Sequence, residues 1–251
     1  FAIVQGLPGA VERRTGLDTI RVEVTHVIPP VEIPPDSKHV KRFKIQSRIL
    51  SEFWGRPIYL GMVVLLPEGY DEHPGVRYPV VYSQGHFSLA APFGFESETS
   101  TFREEWLGPD FPRFIAVTLQ HPCPYFDDSY GVDSPSVGPY GTAIHQELIP
   151  ELERRFRTIP EPYARVLTGG STGGWISFAH QVYYPDFYGG TWSFAPDPLD
   201  FRNVEGINIY EDVNAFYKVH EWHTGPTPNS RVPETGEVKA TWFGRRYIER
   251  R

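Results

Sequence analysis

The chain has 251 residues, of which 40% are hydrophobic, 15% aromatic and 22% charged, a composition typical of a folded domain with a substantial core. The formal net charge of -7 does not fit the basic face of a nucleic-acid-binding protein, so we expect no nucleic-acid partner. No apolar stretch is long enough to cross a bilayer, so we also expect no membrane span. A single cysteine excludes an intrachain disulfide, which fits both a cytoplasmic protein and a bacterial exported protein.

Residues 1–54 are predicted to form an N-terminal β extension with a proline-rich connector. Residues 20–25 (IRVEVT) and 43–46 (FKIQ) alternate apolar and polar side chains, as half-buried strands do. Between them, residues 29–35 read PPVEIPP, which predicts an extended spacer. We therefore place a domain boundary between residues 54 and 55.

From residue 58 onward, apolar strands alternate with amphipathic helices. This alternation predicts an α/β fold with a mostly parallel sheet flanked by helices. The predicted strands are residues 59–66, 79–82, 114–119, 164–168 and 190–194, and the predicted helices are residues 143–156, with a kink at Pro150, and 175–184. After residue 196 the pattern weakens to a short strand at 207–210, a helix at 212–220 and a turn-rich loop at 224–236.

The stretch LTGGSTGGW, residues 167–175, contains the pattern G-x-S-x-G between a predicted strand and a predicted helix. In that context a serine stands on a sharp turn, with its hydroxyl above the sheet and near the free N–H groups of the helix N-terminus. Ser171 is thus the candidate nucleophile, and the Thr172 N–H is a candidate oxyanion donor. The alternatives are a tight turn without chemistry and a phosphate-binding loop. The second is disfavoured because no lysine follows the glycines and because the turn follows a late strand.

Five segments, in this order, resemble the esterase D / feruloyl esterase-type family of the α/β-hydrolase superfamily, which also includes mycolyltransferases. The segments are LLPEGY at 65–70, PVVYSQGH at 79–86, ELIPELERRF at 147–156, GGSTGGW at 169–175 and YPDFYG at 184–189. The resemblance covers roughly residues 56–217 and implies a serine hydrolase without cofactors that acts on a small-molecule carboxylic ester. It also implies that a second oxyanion N–H comes from the loop after residue 82, from His86 or Phe87.

The acid and the base that a catalytic serine needs are harder to assign. In this fold the acid and then the histidine follow the serine along the chain. We assign Asp197 as the candidate acid and His223 as the candidate base; a turn-capping aspartate and an ordinary solvated histidine are the alternatives. The segment HEWH, residues 220–223, lacks the spacing of a zinc-binding H-E-x-x-H motif, so we expect no metal. Further acidic candidates are Asp200, Glu211 and Asp212.

Three interpretations of the chain are open. It is part of a longer esterase whose triad Asp and His are missing, or a complete esterase with a shortened triad, or a hydrolase-like domain that binds without hydrolysing. An acyltransferase would use the same serine with an alcohol as acceptor. We favour the first interpretation, which predicts an irregular or lid-like, truncated end at residues 201–251. It also predicts an exposed sheet edge that is covered in a homo-oligomer or by a missing C-terminal segment.

Aromatic side chains near the serine motif are candidates for contact with the substrate. Trp175 lies two residues after the G-x-S-x-G pattern, and Tyr125 lies in the tyrosine-rich and acidic loop at residues 121–139. Loops on rigid strands frequently carry binding residues, so we name both as candidate substrate contacts. Surface packing is the alternative for each.

Overall fold

A computed structural model describes residues 10–15, 18–23, 32–86, 88–97, 99–204, 206–219, 222, 224–232 and 234–241. The strands in these ranges are β1 (Ala10–Thr15), β2 (Asp18–Glu23), β3 (Val40–Ser47), β4 (Ile58–Leu65), β5 (Val80–Gln84), β6 (Ile115–Gln120), β7 (Pro122–Cys123), β8 (Asp127–Asp128), β9 (Asp133–Ser134), β10 (Gly138–Pro139), β11 (Arg165–Ser171), β12 (Gly190–Pro196), β13 (Tyr217–Val219), β14 (Thr224–Pro226), β15 (Pro228–Arg231) and β16 (Val238–Thr241). The α-helices are α1 (Arg48–Trp54), α2 (Thr101–Leu107), α3 (Tyr140–Ala143), α4 (Ile149–Arg155) and α5 (Thr172–Tyr183).

The chain divides into two compact units, Phe1–Pro35 and Asp36–Arg251. In the first unit, β1 pairs antiparallel with β2. The first unit ends at Pro35, whereas the sequence predicted a boundary at 54/55, and β3 and α1 lie in the second unit. β3 pairs with β4 along its whole length, from Val40 opposite Leu65 to Ser47 opposite Ile58.

The second unit is built on a six-stranded sheet with the spatial order β12, β11, β5, β6, β4 and β3. The strands β12, β11, β5 and β6 run parallel to one another, whereas β4 is antiparallel to β6 and β3 is antiparallel to β4. This architecture confirms the predicted α/β class with a mostly parallel sheet flanked by helices. The five strands predicted between residues 59 and 194 are all present.

The continuous apolar run of β4 reflects a strand that is covered on both faces. Met62 faces a core cluster that includes Ile144, which lies between α3 and α4. Val63, one residue further on, faces a second cluster that contains Trp106 of α2. All four side chains are at most 1% exposed. Because successive strand residues point to opposite faces, both faces of β4 demand apolar side chains. A helix-covered strand therefore shows no polar alternation.

The predicted helix at residues 143–156 is present, with a change of hydrogen bonding before Pro150. α3 continues into a π-helical turn, Ile144–Leu148, which α4 then follows. The Ile149 N–H donates to the Ile144 carbonyl, five residues back. Pro150 has no N–H to donate to the preceding turn, and the wider π-helical turn accommodates the missing hydrogen bond.

The prediction of a helix at residues 212–220 is wrong for the part that the structure describes. These residues form turns and then β13, which pairs with β14. Asn214 Oδ1 accepts hydrogen bonds from the Phe216 and Tyr217 N–H groups, at 2.8 and 2.9 Å. Such side-chain bonds to the backbone compete with helical hydrogen bonds. The loop predicted at 224–236 likewise contains two short strands, β14 and β15, and the strand predicted at 207–210 is reduced to an isolated bridge between Val204 and Ile207.

β12 is the outermost strand of the described sheet on the side of the serine motif. Two aromatic residues of this strand, Trp192 and Phe194, are each 60% exposed. Within the described ranges, no helix is both long enough and apolar enough to cross a membrane.

Candidate active site

Ser171 stands at a sharp turn between the last residue of β11 and the first turn of α5. Its backbone has φ 54° and ψ -123°, a conformation that residues other than glycine rarely adopt. Such strained residues concentrate at functional sites, where the surrounding structure holds them in place. The turn leaves the Ser171 side chain exposed above the end of the sheet.

The two glycines of the G-x-S-x-G pattern allow the backbone around Ser171 to pack tightly. A Cβ atom at Gly169 would lie 2.3 Å from the Gly173 carbonyl oxygen, and one at Gly173 would lie 2.0 Å from the Gln84 carbonyl oxygen. Real Cβ atoms essentially never approach backbone this closely, so only glycine fits either position. At Gly170 a Cβ would meet nothing closer than 3.8 Å. The pattern therefore reflects the packing of α5 against the end of β5.

Asp197 lies directly against the serine. Ser171 Oγ donates to Asp197 Oδ1 at 3.3 Å, and Thr172 Oγ1 donates to Asp197 Oδ2 at 2.9 Å. A register shift between β11 and β12 brings the carboxylate there, since Gly170 pairs with Phe194 but Ser171 pairs with Pro196. In a Ser-His-Asp triad an imidazole lies between acid and serine, whereas here the carboxylate contacts the hydroxyl directly.

A second carboxylate lies on the other side of the elbow, the turn at Ser171 and Thr172 between β11 and α5. His86, which follows β5, has its Nε2 3.3 Å from Thr172 Oγ1 and its Nδ1 3.3 Å from Asp128 Oδ2. Asp128 Oδ1 lies 3.3 Å from His121 Nδ1 and accepts the Tyr130 N–H at 2.7 Å. Burial would raise the pKa of Asp128, but the hydrogen bonds and charge from His121, Tyr130 and His86 outweigh it and hold the pKa below its usual value. Asp128 is therefore ionised at neutral pH.

The two aromatic candidates occupy different surroundings. The Trp175 ring lies 5.5 Å from the Tyr130 ring, and the Tyr130 hydroxyl donates to Asp197 at 3.5 Å. Tyr125, in contrast, packs against Trp54 at 5.5 Å between ring centroids and lies under the Arg56 guanidinium. The structure thus brings Trp175 to the site through Tyr130, whereas the contacts of Tyr125 are with residues near α1.

Two buried histidines lie behind the site. His180 of α5 contacts the Gly131 carbonyl oxygen through Nε2 at 2.8 Å, and His145 contacts the Gly141 carbonyl oxygen through Nδ1 at 2.7 Å. Burial lowers the pKa of His180 to about 3 and that of His145 to about 4. Both rings are therefore neutral at physiological pH. The His180 contact ties α5 to the loop that carries Tyr130.

Sequence reasoning named Ser171, Thr172, Asp197 and His86, and the structure brings these four together. Two further candidates, Phe87 and His223, lie outside the described residues. The contributions of Asp128 and Tyr130 were not identified from the sequence. The available signal was the run of acidic and tyrosine residues directly after a parallel strand, which places them at the same sheet edge as the serine. Across the described ranges, no three His, Cys, Asp or Glu side chains are grouped to hold a metal ion.

Several solved structures are similar to this chain. A ferulic acid esterase is 19% identical, with 61% of this chain and 58% of that chain covered and a TM-score of 0.47. A CE1 ferulic acid esterase from the anaerobic fungus Anaeromyces mucronatus is 21% identical, covering 68% and 65%, with a TM-score of 0.42. An S-formylglutathione hydrolase from Agrobacterium tumefaciens is 16% identical, covering 65% and 60%, with a TM-score of 0.45. The chain spans less than two thirds of the length of each of these structures.

No curated protein sequence matches the chain. The profile of the esterase family described as "Putative esterase" matches residues 58–216, which is more than half of the sequence. The matched region contains the strained serine, its flanking glycines and both carboxylates described above. The chain therefore belongs to the "Putative esterase" family.

Proposed function

We propose that this chain carries the nucleophile of a serine hydrolase that cleaves carboxylic esters through an acyl-enzyme on Ser171. The observation that carries the proposal is the backbone of Ser171, held at φ 54° between β11 and α5. Gly169 and Gly173, two positions where only glycine fits, preserve this turn. A turn with no chemical role has no reason to hold a serine in a conformation that glycine would adopt without strain.

The first half-reaction transfers the acyl group to the serine. Ser171 Oγ attacks the ester carbonyl carbon, its proton passes to a base, and the carbonyl oxygen becomes an oxyanion. The Thr172 N–H, at the start of α5, is one proposed donor to that oxyanion. A backbone N–H of His86 or Phe87, in the loop after β5, is the proposed second donor. Collapse of the intermediate breaks the ester bond, and the leaving alkoxide takes up the proton.

The second half-reaction releases the acid. Water attacks the acyl-enzyme carbonyl, gives up a proton to the same base and regenerates the Ser171 hydroxyl. We propose that Asp197 orients the serine, because it accepts the Ser171 hydroxyl hydrogen at 3.3 Å. The assignment of His223 as base and of Asp197 as triad acid stays a prediction. An alcohol in place of water would make the same acyl-enzyme an acyltransferase intermediate.

Labelling with a fluorophosphonate probe tests this proposal. We expect a single labelled peptide containing Ser171, and no labelling after Ser171→Ala. Ser136→Ala is the matched control, since Ser136 is an exposed serine whose hydroxyl bonds to Ser134 rather than to the site. A folded wild-type protein that takes up no probe would contradict the proposal. It would favour either a non-catalytic hydrolase-like domain or the interpretation in which the triad Asp and His are missing.

A further inference from the structure

We propose that the imidazole of His86 is a side-chain donor to the oxyanion that forms at Ser171, and that Asp128 positions it. This inference rests on the proposed function, because it assigns a further catalytic residue to the same site. The two donors proposed above are backbone N–H groups. The ring Nε2–H of His86 would add a third donor of a different kind, one that can carry positive charge.

The hydroxyl of Thr172 determines which ring nitrogen of His86 carries a hydrogen toward the site. Thr172 Oγ1 has one hydrogen and donates it to Asp197 Oδ2 at 2.9 Å. A carboxylate can only accept, so that hydrogen is committed. The 3.3 Å contact between Thr172 Oγ1 and His86 Nε2 is then a hydrogen bond only if Nε2 donates. His86 therefore presents an N–H to the residue that follows the serine.

Asp128 holds the opposite edge of the same ring. Its Oδ2 lies 3.3 Å from His86 Nδ1, and its side chain is 9% exposed. An ionised carboxylate can only accept, so this contact is a hydrogen bond only if Nδ1 also carries a hydrogen. The proposed donor is therefore the imidazolium form of His86, with both ring nitrogens donating, and the carboxylate fixes the orientation of the ring. Asp128 is itself held in place by the His121 ring and by the Tyr130 N–H. The ring of His86 is thus positioned between a fixed carboxylate and the elbow.

His86 also lies on the side of the serine where the oxyanion develops. In this fold the oxyanion forms between the residue after the nucleophile and the loop after the neighbouring strand. His86 belongs to that loop, and its Nε2 contacts the side chain of Thr172. In the free protein the Thr172 hydroxyl accepts the hydrogen bond that we assign to the oxyanion during reaction. The His86 side chain is 74% exposed, so a substrate can reach it.

A competing role for His86 is that of general base for Ser171. The geometry favours the donor role, because Nε2 faces the elbow with its hydrogen rather than with its lone pair. The Ser171 hydroxyl, moreover, donates to Asp197 rather than to an imidazole. The two roles differ in what can replace the imidazole. A glutamine amide can donate an N–H to an oxyanion, but it cannot accept a proton from serine.

The test measures the rate of fluorophosphonate labelling at Ser171 as a function of probe concentration, which separates the maximal rate from the binding constant of the probe. We expect His86→Phe to lower the maximal rate by about 10- to 100-fold and to leave the binding constant within about twofold. His86→Gln should recover a large part of that loss. His73→Phe is the matched control, since His73 is an exposed histidine in the turns that follow β4, away from Ser171. The His73→Phe variant should be labelled at the wild-type rate.

Asp128→Asn tests the positioning role. If Asp128 acts through His86, the Asp128→Asn substitution lowers the maximal labelling rate of the wild-type protein. The same substitution causes no further loss of rate in the His86→Phe variant. Near-UV circular dichroism verifies that each variant is folded, which we expect because His86 is largely exposed.

Each outcome leads to a different conclusion. A wild-type protein without label at Ser171 overturns the proposed function itself. Labelling that proceeds equally fast in His86→Phe overturns the inference and leaves the proposed function standing. A His86→Gln variant as slow as His86→Phe also overturns the donor role, since it would show that the site requires a proton acceptor. Additive losses from Asp128→Asn and His86→Phe overturn the positioning role of Asp128.

Discussion

Gly173 lies so close to Gln84 that a methyl group at Gly173 would sit 2.0 Å from the Gln84 carbonyl oxygen. Gln84 is the last residue of β5, and Gly173 is in the first turn of α5. The contact therefore holds the helix that follows Ser171 against the strand that leads to His86. The geometry of the site therefore depends on the absence of a side chain at Gly173, as it does at Gly169.

We predict that Gly173→Ala destabilises the protein by about 1–3 kcal/mol or more, because two backbone segments must separate to admit the methyl group. In an unconstrained helix the same change would stabilise by up to about 1 kcal/mol, so the sign is diagnostic. Urea unfolding measures the difference. Gly170→Ala is the control, since its nearest contact of 3.8 Å is ordinary, and equal losses from both variants would contradict the prediction.

We predict that Ser171→Gly raises the free energy of unfolding relative to Ser171→Ala. The backbone at φ 54° and ψ -123° costs a residue with a Cβ on the order of 1–3 kcal/mol, and glycine removes that strain. Its greater entropy in the unfolded chain offsets about 0.5–1 kcal/mol of the gain. Both variants lose the hydroxyl, so comparing their thermal or urea unfolding isolates the backbone. A glycine variant less stable than the alanine variant would argue against strain at this position.

We predict that Asp197→Asn lowers the rate of fluorophosphonate labelling by about 10- to 100-fold, since loss of the negative charge weakens the hydrogen bonds from Ser171 and Thr172. Asp200→Asn is the matched control, because Asp200, a further acidic candidate from the sequence, is exposed and bonds to Arg202 rather than to Ser171. The measurement is the labelling rate at saturating probe. Equal rates for wild type and Asp197→Asn would remove Asp197 from the proposed mechanism.

Acid should destabilise the protein through His145 and His180. Burial lowers their pKa values to about 4 and about 3, from 6.5 for an unburied histidine. Below pH 6.5 the unfolded chain therefore binds more protons than the folded one, and stability falls as pH falls. Between pH 7.5 and pH 5 this amounts to about 2 kcal/mol for each histidine.

Urea unfolding at several pH values measures this slope. His145→Gln and His180→Gln should each reduce the slope of the unfolding free energy against pH by the contribution of one histidine, whatever their effect on absolute stability. The exposed His73→Gln should leave the slope unchanged. Working above pH 5 separates the histidines from carboxylates such as Glu151, whose pKa the Arg154 hydrogen bond lowers to about 2. A slope that neither buried variant alters would contradict the prediction.

Much of the fold was predictable because the signals are local. The apolar run of β4 and the stripe of the helix that contains Ile144 encode burial through periodicity alone. The helix predicted at 212–220 failed for a local reason of another kind, since the Asn214 side chain captures backbone N–H groups that a helix would use. Periodicity does not register that competition.

The sequence by itself determined the class of the sheet and the position of Ser171 between a strand and a helix. Both follow from side-chain periodicity and from the local glycine pattern, which act within a few residues of the chain. Only the tertiary structure decided that Asp197 contacts the serine and that Asp128 contacts His86. Both contacts join separate loops, and they depend on a register shift beside Ser171 and on a loop conformation at Tyr130, with φ 55°, that no pattern of apolar and polar residues specifies.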